Sequence, residues 1–178
     1  SKPAEMVVDE IRDSGIDAVA VNCDVTDPRE VALLATHPWV MGGIDVLILN
    51  HGRYDRIDAK ELDLDHLRRT MSTNFEGAFL VWDATKKTLT DDARICVIGS
   101  QLGTRGSPHG ADYSASKAAL AIWARSLAQS LAPEGKRVNV VAPGFVDTDI
   151  LAGDSKEKRA SREPVSYTHL RAHETQPY

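Results

Sequence analysis

Three polar residues in the middle of the chain have the types and spacing of an acid–base site. Ser100 follows an apolar run, Tyr113 comes 13 residues later, and Lys117 follows Tyr113 by four. Residues four apart lie on one face of a helix, and an adjacent ammonium group lowers the pKa of a phenol from its ordinary value of about 10. Tyr113 could then exchange protons near neutral pH, while Ser100 holds a substrate oxygen. Taken alone, the Tyr–Lys spacing is also compatible with a surface pair.

Short apolar runs alternate with helical patterns along the chain, and these elements must position the three residues. Four runs have the composition of buried strands: 18–23, 44–49, 94–98 and 137–142. Helical periodicity covers 28–36, 63–87 and 111–131, and an earlier helix ends near Gly15. Strands that alternate with helices predict an α/β fold with a parallel sheet. Pro38 and the glycines at 42 and 43 predict that the helix before residue 44 is short or broken.

Composition and charge exclude several functional classes. The net charge is −5 and the longest basic run is a Lys–Lys pair, so neither nucleic acid nor an anionic membrane is an expected partner. No apolar run reaches the roughly 20 residues of a membrane span. Cys23 and Cys96, the only cysteines, lie in apolar runs and form neither a disulfide framework nor a zinc site. We therefore expect a cytoplasmic protein without a metal site.

Five segments resemble, in the same order, motifs of the short-chain dehydrogenase/reductase family. They are CDVTD (23–27), IDVLILNHG (44–52), TNFEGAF (73–79), SQLG with YSASK (100–117) and RVNVVAPGFVDT (137–148). The likeness covers residues 2–150. It implies a Rossmann-like parallel sheet with flanking helices and an NAD(P)-dependent oxidoreductase that interconverts a secondary alcohol and a ketone.

The resemblance assigns catalytic roles to Asn74, Ser100, Tyr113 and Lys117. Tyr113 would give or take the proton at the substrate oxygen, which Ser100 would orient. Lys117 would lower the pKa of Tyr113 and hold the nicotinamide ribose. Asn74 would distort its helix and anchor a water that links Lys117 to solvent. Asn74 also interrupts an apolar helical face, where an unpaired polar side chain is costly; an asparagine turned to solvent is the alternative.

The resemblance also implies a binding site for NAD or NADP. Its residues are Asp24, Val25, Asn50, Gly52, Tyr113, Lys117, Pro143, Gly144, Val146 and Thr148. The side chain of Asp24 and the backbone of Val25 would contact adenine, and Gly52 would let the backbone approach the cofactor. The segment from Pro143 to Thr148 would hold the nicotinamide and touch the pyrophosphate. From the residues alone, Asp24 could instead cap a helix, although Asp27 or Thr26 fits that role better, and the Pro–Gly pair could be a plain turn.

One cofactor motif departs from the usual family pattern. Residues 49–52 read LNHG where the family has NNAG, so Leu49 and His51 replace asparagine and alanine. This departure resembles the branch of 11β-hydroxysteroid dehydrogenases, in which two glycines also precede the strand.

The family's glycine-rich, phosphate-binding turn has no counterpart in the sequence, since none of the 12 glycines stands two residues from another. We therefore interpret the chain as a fragment truncated at both ends. Residues 1–150 would be a partial NAD(P)-binding domain lacking the family's first two strands and its last strand. In the family's strand order the run 18–23 would then pair with 44–49 or remain a loose edge.

The remainder of the chain is divided at residue 164. Residues 151–163 would be a shortened substrate loop. Residues 164–178 match no helix or strand pattern, and we expect a disordered tail. The tail resembles translated sequencing-adapter DNA and is interpreted as a read-through artefact; a natural disordered tail is the alternative.

A non-enzymatic relative that senses a cofactor or acts as a scaffold is the alternative function. Such relatives usually lose the tyrosine or the lysine, and this chain has both. An epimerase or dehydratase would depend on residues after Thr148. The intact parent is expected to take a small carbonyl or alcohol substrate and to form a homodimer or homotetramer through the helices at 63–87 and 111–131.

The absence of a glycine-rich turn predicts weak cofactor binding by the 178-residue chain. Backbone N–H groups at such a turn and the following helix N-terminus normally bind the pyrophosphate. Titration with NADH or NADPH, followed by tryptophan fluorescence, should therefore show no saturation in the micromolar range. Saturation at micromolar cofactor would contradict this expectation.

Overall fold

The computed structural model describes residues 2–144, with side chains from Ala4 onward. The predictions for Val146, Thr148, the shortened loop at 151–163 and the tail at 164–178 lie outside the described residues.

The described residues form one parallel sheet of three strands. Strand β1 spans Ile44–Leu49, β2 spans Leu89–Ile98 and β3 spans Arg137–Val141, in the order β1-β2-β3. The predicted α/β fold is confirmed, and the parallel sheet with flanking helices is Rossmann-like. Strand β1 has the predicted bounds, whereas β2 starts five residues before its predicted start at Arg94. The early part of β2 pairs with β1 across a register shift between Ile44 and Val46. The sequence did not predict this part as a strand, because it contains acidic residues at 91 and 92, which are rare in strands.

The predicted strand at 18–23 is wrong. Residues 16–24 have no regular secondary structure, and Val19 and Val21 are 43% and 44% exposed. A strand is maintained by hydrogen bonds to a neighbouring strand, and within residues 2–144 none lies beside this segment. Pairing with β1 is therefore excluded for the described residues, and the β-branched pattern alone does not produce a strand.

Seven α-helices are found among the described residues: Lys2–Asp13 (α1), Pro28–Ala35 (α2), Pro38–Met41 (α3), Leu64–Met71 (α4), Gly77–Thr85 (α5), Leu102–Arg105 (α6) and Ala111–Leu131 (α7). A π-helix, Ser72–Glu76, joins α4 to α5, and 3₁₀ turns cover Lys86–Thr88 and Ala132–Glu134. The single helix predicted over 63–87 is thus observed as α4, the π-helix and α5. Helix α3 has only four residues, as Pro38 and the following glycines predict. None of the helices within 2–144 has the length and hydropathy needed to cross a bilayer.

The hydrophobic core lies between the sheet and α7. Helix α7 presents Leu120, Ala124, Ala128 and Leu131, which recur every three or four residues and so share one face. These side chains pack with a cluster from the strands and α5: Leu49, Ala78, Trp82, Ile95, Val97 and Val138. Trp123 adds edge-to-face contacts with Phe75, Phe79 and Trp82 at 6.3 to 6.4 Å. The packing fixes α7, which carries Tyr113 and Lys117, against the ends of β2 and β3.

Two substitutions on α7 test where this core lies. Leu120 is 1% exposed, whereas Ile122, two residues further on, is 58% exposed. Leu120→Ala should lower the free energy of unfolding by about 2–5 kcal/mol because it leaves a cavity. Ile122→Ala, the matched control, should change it by less than about 0.5 kcal/mol. Urea denaturation measures both, and equal losses would contradict the assignment of the buried face.

Candidate active site

The four residues expected to be catalytic lie on three neighbouring elements. Ser100 follows the carboxyl end of β2, Tyr113 and Lys117 occupy the first two turns of α7, and Asn74 lies in the π-helix. In parallel sheets, ligand sites form where the strands end. The sheet therefore brings Ser100 to the helix that carries the tyrosine and lysine.

Tyr113 is half-buried, and the Ser100 side chain lies beside it. Burial raises the pKa of Tyr113 above its ordinary value, the Ser100 side chain acts in the opposite direction, and the Tyr54 phenol adds to the rise. Lys117 Nζ lies 5.8 Å from the centre of the Tyr113 ring, and the expectation that Lys117 lowers the pKa of Tyr113 stays a prediction.

Lys117 is 3% exposed, and its Nζ donates a hydrogen bond to the Ile98 carbonyl at 2.8 Å. Burial lowers the pKa of Lys117 to about 8. Gly52 makes room for the ammonium group, because a Cβ at that position would lie 3.3 Å from Nζ. The loop after β1 thus approaches the Lys117 ammonium group closely at Gly52.

Asn74 is fully buried, and its side chain forms hydrogen bonds to both the loop after β1 and α7. Its Oδ1 accepts from the Arg53 backbone N–H at 2.6 Å, and its Nδ2 donates to the Arg53 carbonyl at 3.0 Å. Nδ2 also donates to Ser116 Oγ at 2.9 Å, and Ser116 Oγ donates to the Tyr113 carbonyl at 2.7 Å. The alternative of an Asn74 turned to solvent is therefore wrong. Asn74 instead connects the loop after β1 to the turn of α7 that holds Tyr113.

The residues expected to contact the cofactor lie after β1, after β3 and before α2. Asn50 and Gly52 follow β1, and Pro143 and Gly144 follow β3. The Pro143 carbonyl accepts a hydrogen bond from the Gln101 backbone at 3.0 Å. This bond joins the segment after β3 to the segment that carries Ser100.

Asp24 is exposed, and its Oδ1 accepts from both the backbone N–H and the hydroxyl of Thr26 at 2.8 Å. The bond from the Thr26 backbone is the main cause that lowers the pKa of Asp24. Asp27, rather than Asp24, caps α2 by accepting from the Arg29 backbone. Val25 is half-buried beside Gly77, where a Cβ would lie 2.9 Å from Val25 Cγ2.

Sequence reasoning missed three residues beside the site. Asp112, next to Tyr113, is 1% exposed and accepts from Thr70 Oγ1 on α4 at 2.6 Å. Tyr54 lies against Tyr113, with the ring centres 4.8 Å apart. Ser116 was read only as part of the YSASK motif, and no pattern pointed to its bond with Asn74. Contacts between residues 40 or more positions apart leave no periodic signal in a single sequence.

His51 was noticed only as a departure from the family motif. Its ring is partly buried, and its Nε2 has no hydrogen-bond partner among the described residues. Burial and the nearby Lys117 lower the pKa of His51, while a hydrogen bond to the Thr73 backbone acts in the opposite direction.

The buried ammonium group predicts a specific pH dependence of stability. The pKa of Lys117 is about 8 in the folded chain and 10.5 for an ordinary lysine, so the unfolded chain binds more protons between these values. Stability should therefore rise with pH from 8 towards 10.5, by about 3 kcal/mol, and Lys117→Met should remove this rise.

Urea denaturation between pH 7.5 and 10 measures this difference. The matched control is Lys87→Met, because Lys87 is exposed, and it should follow the unmodified chain. A Lys117→Met profile parallel to that of the unmodified chain would contradict the lowered pKa.

Comparison with known proteins agrees with this geometry. The chain is 34% identical over 169 residues to the cis-4-hydroxycyclohexanecarboxylate dehydrogenase of Sinomonas cyclohexanicum, in an alignment covering 91% of the chain and 68% of that protein. A crystal structure of a dehydrogenase/reductase from Sinorhizobium meliloti superposes with a TM-score of 0.84 at 33% identity, covering 95% of the chain and 69% of that protein.

Several solved relatives contain a nicotinamide cofactor. A short chain dehydrogenase from Burkholderia cenocepacia, in complex with NADP, superposes with a TM-score of 0.83 at 34% identity, covering 92% of the chain and 67% of that protein. Other similar structures hold NADPH or NAD⁺. The family profile described as short chain dehydrogenase matches residues 1–159. The chain belongs to the short-chain dehydrogenase family.

Proposed function

We propose that this chain carries the catalytic part of an NAD(P)-dependent oxidoreductase that interconverts a secondary alcohol and a ketone. The observation that supports it most directly is the buried ammonium group of Lys117 one helical turn from Tyr113, with Lys117 Nζ 5.8 Å from the centre of the Tyr113 ring and the Ser100 side chain beside the same tyrosine. This arrangement supplies a proton donor, a second group for the same substrate oxygen and a fixed positive charge. Those are the groups that carbonyl reduction needs.

The residues at the strand ends fit the nicotinamide end of such a cofactor. Gly52 keeps the space beside Lys117 Nζ free, since a Cβ there would lie 3.3 Å away. Lys117, Asn50, Gly52, Pro143 and Gly144 would hold the nicotinamide ribose and ring, Asp24 and Val25 the adenine, and Val146 and Thr148 the carboxamide and pyrophosphate. When bound, NAD(P)H would supply the hydride for the carbonyl carbon, and NAD(P)⁺ would accept it in the reverse direction.

Tyr113 would transfer its hydroxyl proton to the substrate oxygen during reduction and recover one during oxidation. Ser100 would donate a hydrogen bond to the same oxygen and so orient it. Lys117, with a pKa of about 8, would be mostly protonated at neutral pH and would favour the tyrosinate that proton transfer leaves. The positive charge would thus act when the phenolate forms, although burial dominates in the resting site.

Asn74 has one acceptor position available for the proposed proton relay. Both Nδ2 hydrogens are used, by the Arg53 carbonyl and by Ser116, while within residues 2–144 Oδ1 accepts only from the Arg53 N–H. An amide oxygen has two lone pairs. A water bound there would link Lys117 to solvent, as the family resemblance implies.

The substrate of the intact protein is proposed to be a small carbonyl or alcohol compound. The names of similar proteins describe oxidation of a hydroxycyclohexanecarboxylate and reduction of a 3-oxoacyl group. Both reactions exchange a secondary alcohol and a carbonyl. The proposal includes a cytoplasmic location and assembly into a homodimer or homotetramer through α7 and the helices from Leu64 to Thr85.

The activity test would use a joined protein, because the family resemblance implies a phosphate-binding turn. In it, the part of the Sinorhizobium relative that precedes the region matched by this chain would stand before residue 1. With NADPH or NADH it should reduce at least one member of a panel containing a cyclic ketone, a 3-oxoacyl ester and a ketose. Tyr113→Phe should lower kcat at least 100-fold, because it removes the proton donor.

The matched control is Ser126→Ala, an exposed substitution on the same helix, which should leave kcat unchanged. Full activity in Tyr113→Phe would overturn the catalytic assignment. Saturable cofactor binding without turnover of any substrate would instead support the cofactor-sensing alternative.

A further inference from the structure

Tyr54, in the loop after β1, lies against the ring of Tyr113. The two ring centres are 4.8 Å apart and the ring planes are inclined by 59°. This separation is within the range of attractive aromatic pairs. One side of the Tyr113 ring is therefore covered by another aromatic ring instead of water.

The position of Tyr54 is fixed from the opposite side. Its hydroxyl donates to the His109 carbonyl at 2.9 Å. Its ring also lies directly over Gly110, where a Cβ would overlap Tyr54 Cε2. The backbone φ of Gly110 is 162°, which is extended, so the Tyr54 ring rather than the backbone is what requires glycine here.

Two further contacts join the loop of Tyr54 to the segment before α7. The Ala59 backbone donates to the Pro108 carbonyl at 2.8 Å, and His109 Nδ1 lies 3.6 Å from Asp58 Oδ2. These contacts join two loops, 53–62 and 106–110, and the second loop leads directly into α7. The Tyr54 ring lies between them.

We propose that Tyr54 is a positioning residue for Tyr113: its anchored ring covers the tyrosine that is proposed to transfer the proton and keeps water from that side of it. The inference rests on the proposed function for its role in the reaction. Tyr113 is faced by the Ser100 hydroxyl from the segment after β2, the Tyr54 phenol from the loop after β1 and the Lys117 ammonium group from its own helix. Burial is the main cause that raises the pKa of Tyr113, and the Tyr54 ring, 4.8 Å from the Tyr113 ring, is one of the groups that cover it.

Tyrosine titration in the 178-residue chain tests this role. The chain labelled with [ζ-¹³C]tyrosine has four tyrosine signals, and the signal missing in Tyr113→Phe identifies Tyr113. Tyr54→Leu removes the covering ring and should move the titration midpoint of Tyr113 down, towards the ordinary value of about 10. Tyr54→Phe keeps the ring and should give a smaller shift.

Gly110→Ala displaces Tyr54 without changing either tyrosine and should lower the Tyr113 midpoint as Tyr54→Leu does. In the Tyr54→Leu background it should add no further shift, since the two substitutions act through the same contact. Gly42→Ala is the control, because Gly42 has a φ of −71° and follows α3; it should leave the midpoint unchanged.

An unchanged Tyr113 midpoint in folded Tyr54→Leu would overturn the proposal. If Tyr54→Leu does not fold by far-UV circular dichroism, Gly110→Ala decides by the same criterion. The titration needs neither cofactor nor turnover, so an inactive joined protein would contradict the proposed function and leave this result standing.

Discussion

The geometry of the site depends on the buried side chain of Asn74. Its amide pairs with both backbone groups of Arg53 and also donates to Ser116. A buried amide left unpaired would cost about 1–3 kcal/mol, and this cost favours the arrangement in which all three hydrogen bonds are formed. The loop after β1 therefore cannot move relative to α7 without exposing or orphaning Asn74. Gly52 lies in that loop beside Lys117 Nζ. By holding the loop in place, Asn74 therefore also fixes the backbone that lies next to the Lys117 ammonium group.

The π-helix explains how a polar residue reaches this position. Helices α4 and α5 are amphipathic or apolar and pack against α2 and α7. An extra residue per turn at Ser72–Glu76 changes the helical register between them, and π segments often occur at functional sites. Asn74 then faces inward while Phe75 still packs beside Trp123. The wider π turn therefore lets one helical segment direct Phe75 to the core and Asn74 to the site.

Local patterns predicted the elements well, and long-range partners account for the failures. Periodicity alone gave the bounds of β1 and α7. The run at 18–23 has equally good local signals but no neighbouring strand among the described residues, so it is not a strand. Motif resemblance brought Ser100, Tyr113, Lys117 and Asn74 together. It did not indicate the direction of the pKa of Tyr113, because that pKa also depends on residues such as Tyr54, which belong to no motif.

Close approach at two glycines also joins the strand ends to α7. A Cβ on Gly103 in α6 would lie 3.0 Å from the Lys117 carbonyl carbon and the Ala118 nitrogen, and one on Gly52 would lie 3.3 Å from Lys117 Nζ. The segments after β1 and β2 thus both reach Lys117 at a glycine. A side chain at Gly103 would push α6 away from α7, and with it Ser100, whose Oγ accepts from the first residue of α6, Leu102. The placement of Ser100 beside Tyr113 consequently depends on the absence of a side chain at a residue that takes no part in the proposed chemistry.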